Sequence, residues 1–263
     1  MRPVLVCLSF LCAFVVSGQG GPVDFGHGTL SVFPLRTAPT TLPAISRLNS
    51  GAPRALSTAV APTSSINSAA LQEMLQNSTG QSQRWNRAPA LTVLVSVMEY
   101  HIGEPATYVA TSEQLTEHEI SMLAGDLTTA LALLTGNTYT EFAAIRREAV
   151  PAGASISVLR PGQIVAGRYR HVQKLVHTIG FGGRAARLDG TITGAAIMLD
   201  SEYDRTSQKR RLLRTHELGH ALGYNHVLSS VSIMNPSIGP EPTDFDREAA
   251  TIAFPSPSPA RLD

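Results

Sequence analysis

Three histidines and one glutamate stand together in the stretch His216-Glu217-Leu218-Gly219-His220-Ala221-Leu222-Gly223-Tyr224-Asn225-His226. His216 and His220 are four apart, so a helix puts both imidazoles on one face, a turn from each other. Two ring nitrogens so placed can reach one zinc ion at about 2.0–2.1 Å. Glu217 lies one residue round the helix. There it is poorly placed to share the metal but well placed to hold and deprotonate a water on it. Gly223 can take the left-handed conformation that ends a helix and turns the chain sharply. That turn brings His226 back as the third ligand. Three protein ligands leave a fourth position open, which distinguishes a catalytic zinc from a structural one.

Other readings of these residues are weaker. A core helix with hydrogen-bonded histidines does not explain why a Glu and a Gly fall in register with them. A third ligand from Glu241 or Glu248 would leave Gly223, His226 and Met234 without a role. The pattern HExxHxxGxxH, followed by Ser232-Ile233-Met234-Asn235-Pro236, resembles that of the metzincin metallopeptidases, which carry a methionine-containing turn after the third histidine. Met234 lies eight residues after His226, a spacing similar to that of the matrixins, the matrix-metalloproteinase branch. The resemblance implies a secreted zinc endopeptidase (one catalytic Zn²⁺ on His216, His220 and His226, Glu217 as general base) and an apolar floor at Met234. It also implies an α+β zincin fold: a mixed, mostly parallel twisted sheet with an antiparallel edge strand along the cleft, a long packing helix, the active-site helix and a small C-terminal subdomain with a short helix. An extended protein or peptide substrate would pair with the edge strand. Residues 236–242 would wall the pocket for the residue after the scissile bond.

The chain also departs from that pattern. Val227 stands where matrixins usually have Ser or Thr. Pro236 occupies the position of a tyrosine that assists in some metzincins. No His-and-Asp loop for a second, structural zinc is recognisable. Asp189, Asp200 and Asp204 are candidates for Ca²⁺, against the plainer reading of solvated carboxylates. From a different class, the alternative is a catalytically silent secreted binding module on the same fold. Against it, the base and all three ligands are retained.

The whole chain sets the frame for these residues. Its 263 residues are 43% hydrophobic and 16% charged, with a formal net charge of +1, which suits one globular domain plus extra segments. Near-zero charge makes no case for nucleic acid or an anionic membrane surface. Arg205, Lys209, Arg210, Arg211 and Arg214 cluster before and within the expected metal-binding helix and read as its solvated face. Residues 1–18 read as a signal peptide, with Met1-Arg2, a short apolar run from Val4 and the small residues Ser17 and Gly18; an uncleaved anchor is the alternative. The expected product is secreted, extracellular or periplasmic, without stable membrane insertion, and a monomer. Both cysteines, Cys7 and Cys12, fall in the leader, so the mature chain forms no disulfide. It also has no cysteine with which a propeptide could block the metal.

Residues 19–82 are rich in Ser, Thr, Ala, Pro and Gly and read as a linker or propeptide, with a short helical pattern at 66–75. The catalytic domain is expected over 83–254, beginning near Arg84-Trp85, and a disordered tail over 255–263. Residues 91–98 form a β-rich apolar run. Thr116 and Glu119 make a capping box for a helix with Ile120, Leu123, Leu127, Ala130, Leu131 and Leu134 on one stripe. Residues 142–150 and 155–160 are strand candidates, and 162–176 is ambiguous. Gly180-Phe181-Gly182-Gly183 reads as a cleft-lining loop with no phosphate-binding context. Residues 192–200 read as the last strand. The edge strand is placed at 169–176 or 185–190. The metal-binding helix is expected to start at Thr206 or Ser207, and a C-terminal helix to run from Thr243 to about Ala253.

Overall fold

A computed structural model describes residues 31–34, 67–77, 79–101, 107–172 and 178–255. The expected leader, most of the 19–82 stretch and nearly all of the tail lie outside these. In chain order the elements are β1 (Ser31–Pro34), α1 (Ser68–Leu75), β2 (Ala90–Leu94), β3 (Ser96–His101), β4 (Thr107–Gln114), α2 (Glu117–Leu134), β5 (Ile145–Glu148), β6 (Gln163–Arg170), β7 (Gly180–Ala186), β8 (Ile192–Asp200), α3 (Ser201–Thr206), α4 (Arg210–Leu222) and α5 (Asp244–Ala253). The fold is mixed α/β, built on one open eight-stranded sheet in the order β1-β7-β8-β6-β2-β5. β3 joins it beside β6 and carries β4. The pairs β2–β5, β2–β6, β3–β6 and β6–β8 are parallel. Those of β7 with β1 and β8, and of β3 with β4, are antiparallel. Among the described residues no helix is long and apolar enough to cross a membrane.

Period-two alternation splits the central strands between two cores. Ile164 and Ala166 of β6, and Ala195, Ile197 and Leu199 of β8, face the main core beneath α2 and α4. Val165, Tyr169 and Ala196 face a smaller core together with Leu94, Met98 and Val158. Both faces are therefore covered, and the parallel strands read as near-continuous apolar runs. The α2 stripe and its capping box form as expected, with Thr116 Oγ1 accepting from the Glu119 amide and the Glu119 carboxylate from the Thr116 amide.

Several expectations shift. Residues 155–160 form no strand beyond an isolated bridge from Ser155 to Val109. The 91–98 run is broken at Val95 into β2 and β3. Gly180-Phe181-Gly182-Gly183 is not a loop but the first half of β7, which runs antiparallel to both β8 and β1. Of the two segments expected to hold the edge strand, Tyr169 and Arg170 end β6 and 173–176 lie outside the described residues, while Ala185 and Ala186 close β7 and 187–190 turn towards β8; β1 lies outside β7 in the sheet. Glycine is a weak strand former, which hides β7 in the sequence. α4 begins at Arg210, not at Thr206 or Ser207, because a separate turn of helix, α3, capped by Asp200, comes first. The boundary expected at residue 82 falls inside packed structure, since Ala70 and Met74 of α1 are fully buried in the main core. Their sparse apolar pattern becomes a core face only against the distant loop that they cover.

The basic cluster is a solvated face only in part: Lys209 and Arg211 are exposed, whereas Arg205 and above all Arg214 are drawn into ion pairs. Arg214 and Asp204 are both fully buried. Arg214 Nε and Nη2 donate to the two Asp204 oxygens at 2.7 Å each, and Nη1 donates to Asp126 at 2.7 Å. Arg168 Nε donates to Asp204 at 2.7 Å and also pairs with Glu119. Arg205 bonds Glu119 at 3.1 Å and pairs with Glu113, which also holds Arg170. Burial raises the Glu119 carboxyl, but the Thr116 amide, Arg168 and the Thr116 hydroxyl outweigh it and hold the group down at about 2. Four arginines and four carboxylates thus alternate from β6 through α2 and α3 to the base of α4.

Candidate metal centre

α4 supplies His216 and His220 one turn apart, and the chain after Gly223 supplies His226. Their Nε2 atoms stand 3.1 Å apart for His216 and His220, and 3.2 Å from each of these to His226. Among the described residues they are the one group of His, Cys, Asp and Glu whose ligand atoms converge. The far nitrogens settle the tautomers. His216 Nδ1 lies 2.7 Å from the Ile233 carbonyl oxygen and His220 Nδ1 2.9 Å from that of Tyr224. A carbonyl only accepts, so each Nδ1 carries the hydrogen and each Nε2 presents its lone pair to the centre. Lone pairs held this close repel unless a cation lies among them. Nitrogens about 2.0–2.1 Å from a tetrahedral ion would lie about 3.3–3.4 Å apart, close to the separations seen, so this donor set fits a metal ion.

Electrostatics keep the imidazoles neutral. Burial drives the His216 pKa down to about 3, with the Ile233 carbonyl opposing and His226 assisting. His220 is held well below its ordinary value by burial and then by its two histidine neighbours. Burial alone takes His226 to about 4. All three are therefore in the ligating form at neutral pH without prior deprotonation.

Glu217 is fully buried next to His216, and neither carboxylate oxygen has a well-formed hydrogen bond from the protein. Burial pushes its pKa well up; the Gly182 amide pulls the other way. β7 lies directly over this side chain. A Cβ on Gly180 would sit 2.5 Å from Glu217 Oε1, and one on Gly182 would overlap the Glu217 carbonyl oxygen. Only glycine lets the strand approach the helix this closely.

The helix end and the following loop carry the third ligand. Gly223 has φ 123°, and its N–H bonds Gly219 and His220 carbonyls at 3.1 and 3.2 Å. A Cβ there would overlap the Gln83 carbonyl oxygen. Buried Val227 donates its N–H to the Met234 carbonyl at 3.0 Å, and Asn235 Nδ2 donates back to Val227 O at 2.6 Å. Met234 is fully buried, and its sulfur lies where a Cβ on Gly219 would stand. The expected apolar floor is therefore in contact with the ligand-bearing helix. Asp246, in the first turn of α5, accepts from the Ile233 amide at 3.1 Å and from Ser232 Oγ. It thereby holds the turn whose Ile233 carbonyl orients His216.

Residues 216, 217, 220, 223, 226 and 234 thus come together. Glu241 and Glu248 do not join the histidines, and Glu241 pairs with Arg211 at the surface. The calcium candidates are otherwise engaged. Asp200 caps α3, Asp204 is sandwiched by two arginines, and Asp189 accepts from the Thr191 amide at 2.8 Å. No protein-family model matches the chain, and none of the curated proteins matches it in sequence. Sequence reading missed Arg184, Gly219, Asn225, Asn235 and Asp246. Of these only Asp246 had a local signal, since Thr243 and Asp246 form a capping box.

Proposed function

We propose that this chain is an exported zinc endopeptidase of metzincin type, matrixin-like, that hydrolyses peptide bonds in an extended protein substrate. One observation carries the reading: three neutral Nε2 atoms converge beside a buried carboxylate that the protein itself leaves unsatisfied. Bound zinc supplies Lewis acidity, polarising the scissile carbonyl and acidifying a water. His216, His220 and His226 hold the ion with their unprotonated nitrogens. Glu217 takes the proton from the attacking water and returns it to the leaving amine, a role suited to a carboxyl raised towards neutrality by burial. β7 provides main-chain groups along the roof of the site. Residues 31–34 pair with its outer side in antiparallel register, the arrangement an extended peptide would adopt there. The leader read over residues 1–18 supports export.

The test is cleavage of an unfolded protein such as casein by the chain from residue 19, beside Glu217→Ala and a chelator control. Chelator-sensitive cleavage that returns with Zn²⁺ and is lost in Glu217→Ala is the expected result. Zinc binding without cleavage of any protein or peptide would sink the peptidase reading in favour of a binding module.

A further inference from the structure

We propose that Arg184 is a positioning residue for the metal centre, holding the carbonyl that orients His220 and the side chain of Asn225, next to His226. The proposal rests on the metal-centre reading of the three histidines, not on peptidase activity. Arg184 lies on β7, its side chain 1% exposed, and three of its nitrogens donate. Nη1 reaches the His220 carbonyl at 2.9 Å and the Tyr224 carbonyl at 3.3 Å. Nη2 donates to Asn225 Oδ1 at 2.9 Å and Nε to Gln83 Oε1 at 2.7 Å. The Tyr224 oxygen is the same atom that accepts from His220 Nδ1 at 2.9 Å. Asn225 is tied on its other side to α1, through its N–H to the Met74 carbonyl at 2.8 Å and its Nδ2 to the Gln76 carbonyl at 2.6 Å.

Two physical points favour positioning over charge. A cation beside a cation site weakens metal binding by Coulomb repulsion, so the charge itself does not help to hold the ion, and the hydrogen bonds seen run to carbonyl and amide oxygens that shape the site. A buried guanidinium is nonetheless kept here. What it offers that a smaller cation cannot is a rigid planar fork, which fixes several acceptors relative to one another. Two of those acceptors are the His220 carbonyl in the last turn of α4, where partial negative charge gathers at a helix C-terminus, and the Tyr224 carbonyl just beyond it. Groups that orient metal-bound histidines typically change metal affinity about 10–100-fold when removed.

The experiment uses the chain from residue 19 with Arg184→Lys, Arg184→Met and Asn225→Ala. Zn²⁺ affinity is read by competition with a chromophoric chelator, ligand geometry by the visible bands of bound Co²⁺, and folding by circular dichroism of the metal-free proteins. All three variants are expected to lose at least about tenfold in Zn²⁺ affinity and to show altered Co²⁺ bands, with Lys failing to rescue because it keeps the charge but not the fork. If Arg184→Met does not fold, Arg184→Lys and Asn225→Ala decide. Zn²⁺ affinity within about threefold of wild type and unchanged Co²⁺ bands in the folded variants would overturn the proposal, leaving Arg184 a purely structural residue. A wild-type chain that takes up neither ion would overturn it by removing the metal-centre reading beneath it, a result separate from the variants behaving like wild type.

Discussion

Each imidazole of the site is aimed by a different part of the chain. Ile233 in the methionine turn holds His216, Tyr224 beyond the helix end holds His220, and the loop closed by Val227 and Met234 carries His226. Glu217 carries no comparable tether, which fits the role proposed for it, in which its partner would be the reacting water. Glu217→Gln is expected to bind Zn²⁺ as wild type does while losing about 10²–10⁴ in kcat, the range typical of a general base; steady-state kinetics beside a zinc titration checks it. Acid should also weaken the metal-free fold. Unfolded histidines titrate near about 6.5, folded His216 near 3 and His226 near 4. Between those values the unfolded chain binds more protons, so this contribution is intact above pH 6.5 and is lost as pH falls towards 4 and then 3. Glu217, raised by burial, acts with the opposite sign, so the measurement belongs in Glu217→Gln. Its urea midpoint, measured without metal, should fall steadily from pH 7 to pH 4.5; a flat or rising midpoint contradicts neutral buried histidines.

At the scale of elements, α1 belongs to the metal-site loop although it precedes the expected domain boundary. The Glu73 carboxylate accepts from the amides of Leu228 at 2.9 Å and Ser229 at 3.3 Å, and from the Ser229 hydroxyl at 2.6 Å. The hydroxyl bond lowers its pKa most; burial opposes and the two amides add to the lowering. With Asn225 also bonded to Met74 and Gln76, α1 supports both sides of His226. A chain beginning at residue 83 should therefore bind Zn²⁺ at least about tenfold more weakly than one beginning at residue 67, measured by chelator competition. Equal affinity would make α1 a passenger. Gly223→Ala should be equally damaging. It strains a φ of 123° and drives a methyl into the Gln83 carbonyl, lowering the unfolding midpoint and zinc affinity together.

For the whole molecule, the buried arginine–carboxylate chain locks α4 to the sheet and to α2. Asp204 sits between Arg168 and Arg214 with no exposure. Removing it leaves two buried cations without their shared anion, so Asp204→Ala should cost about 3–5 kcal/mol in denaturant unfolding. Cutting the exposed Arg211–Glu241 pair by Glu241→Ala should cost about 0–1 kcal/mol. Similar losses in the two variants would mean that the network adds nothing particular.

Where the code is local, the amino-acid sequence by itself was enough. The α2 stripe with its capping box, the span of β8, α5 capped by Thr243, and the convergence of His216, His220 and His226 round Gly223 follow from periodicities and turn chemistry within a few residues. Tertiary structure alone decided the rest, because those roles depend on partners far along the chain. Gly180 and Gly182 become strand residues only because β8 comes alongside to pair with them, and must be glycine because α4 passes close beneath. Arg214 is buried only because Asp126 and Asp204 come to meet it, and α1 joins the core through Asn225, about 150 residues on. A glycine or an arginine has the same local signature in a loop or on a surface as in these places. What lies opposite its side of the chain is written elsewhere in the sequence and is read only once the chain has folded.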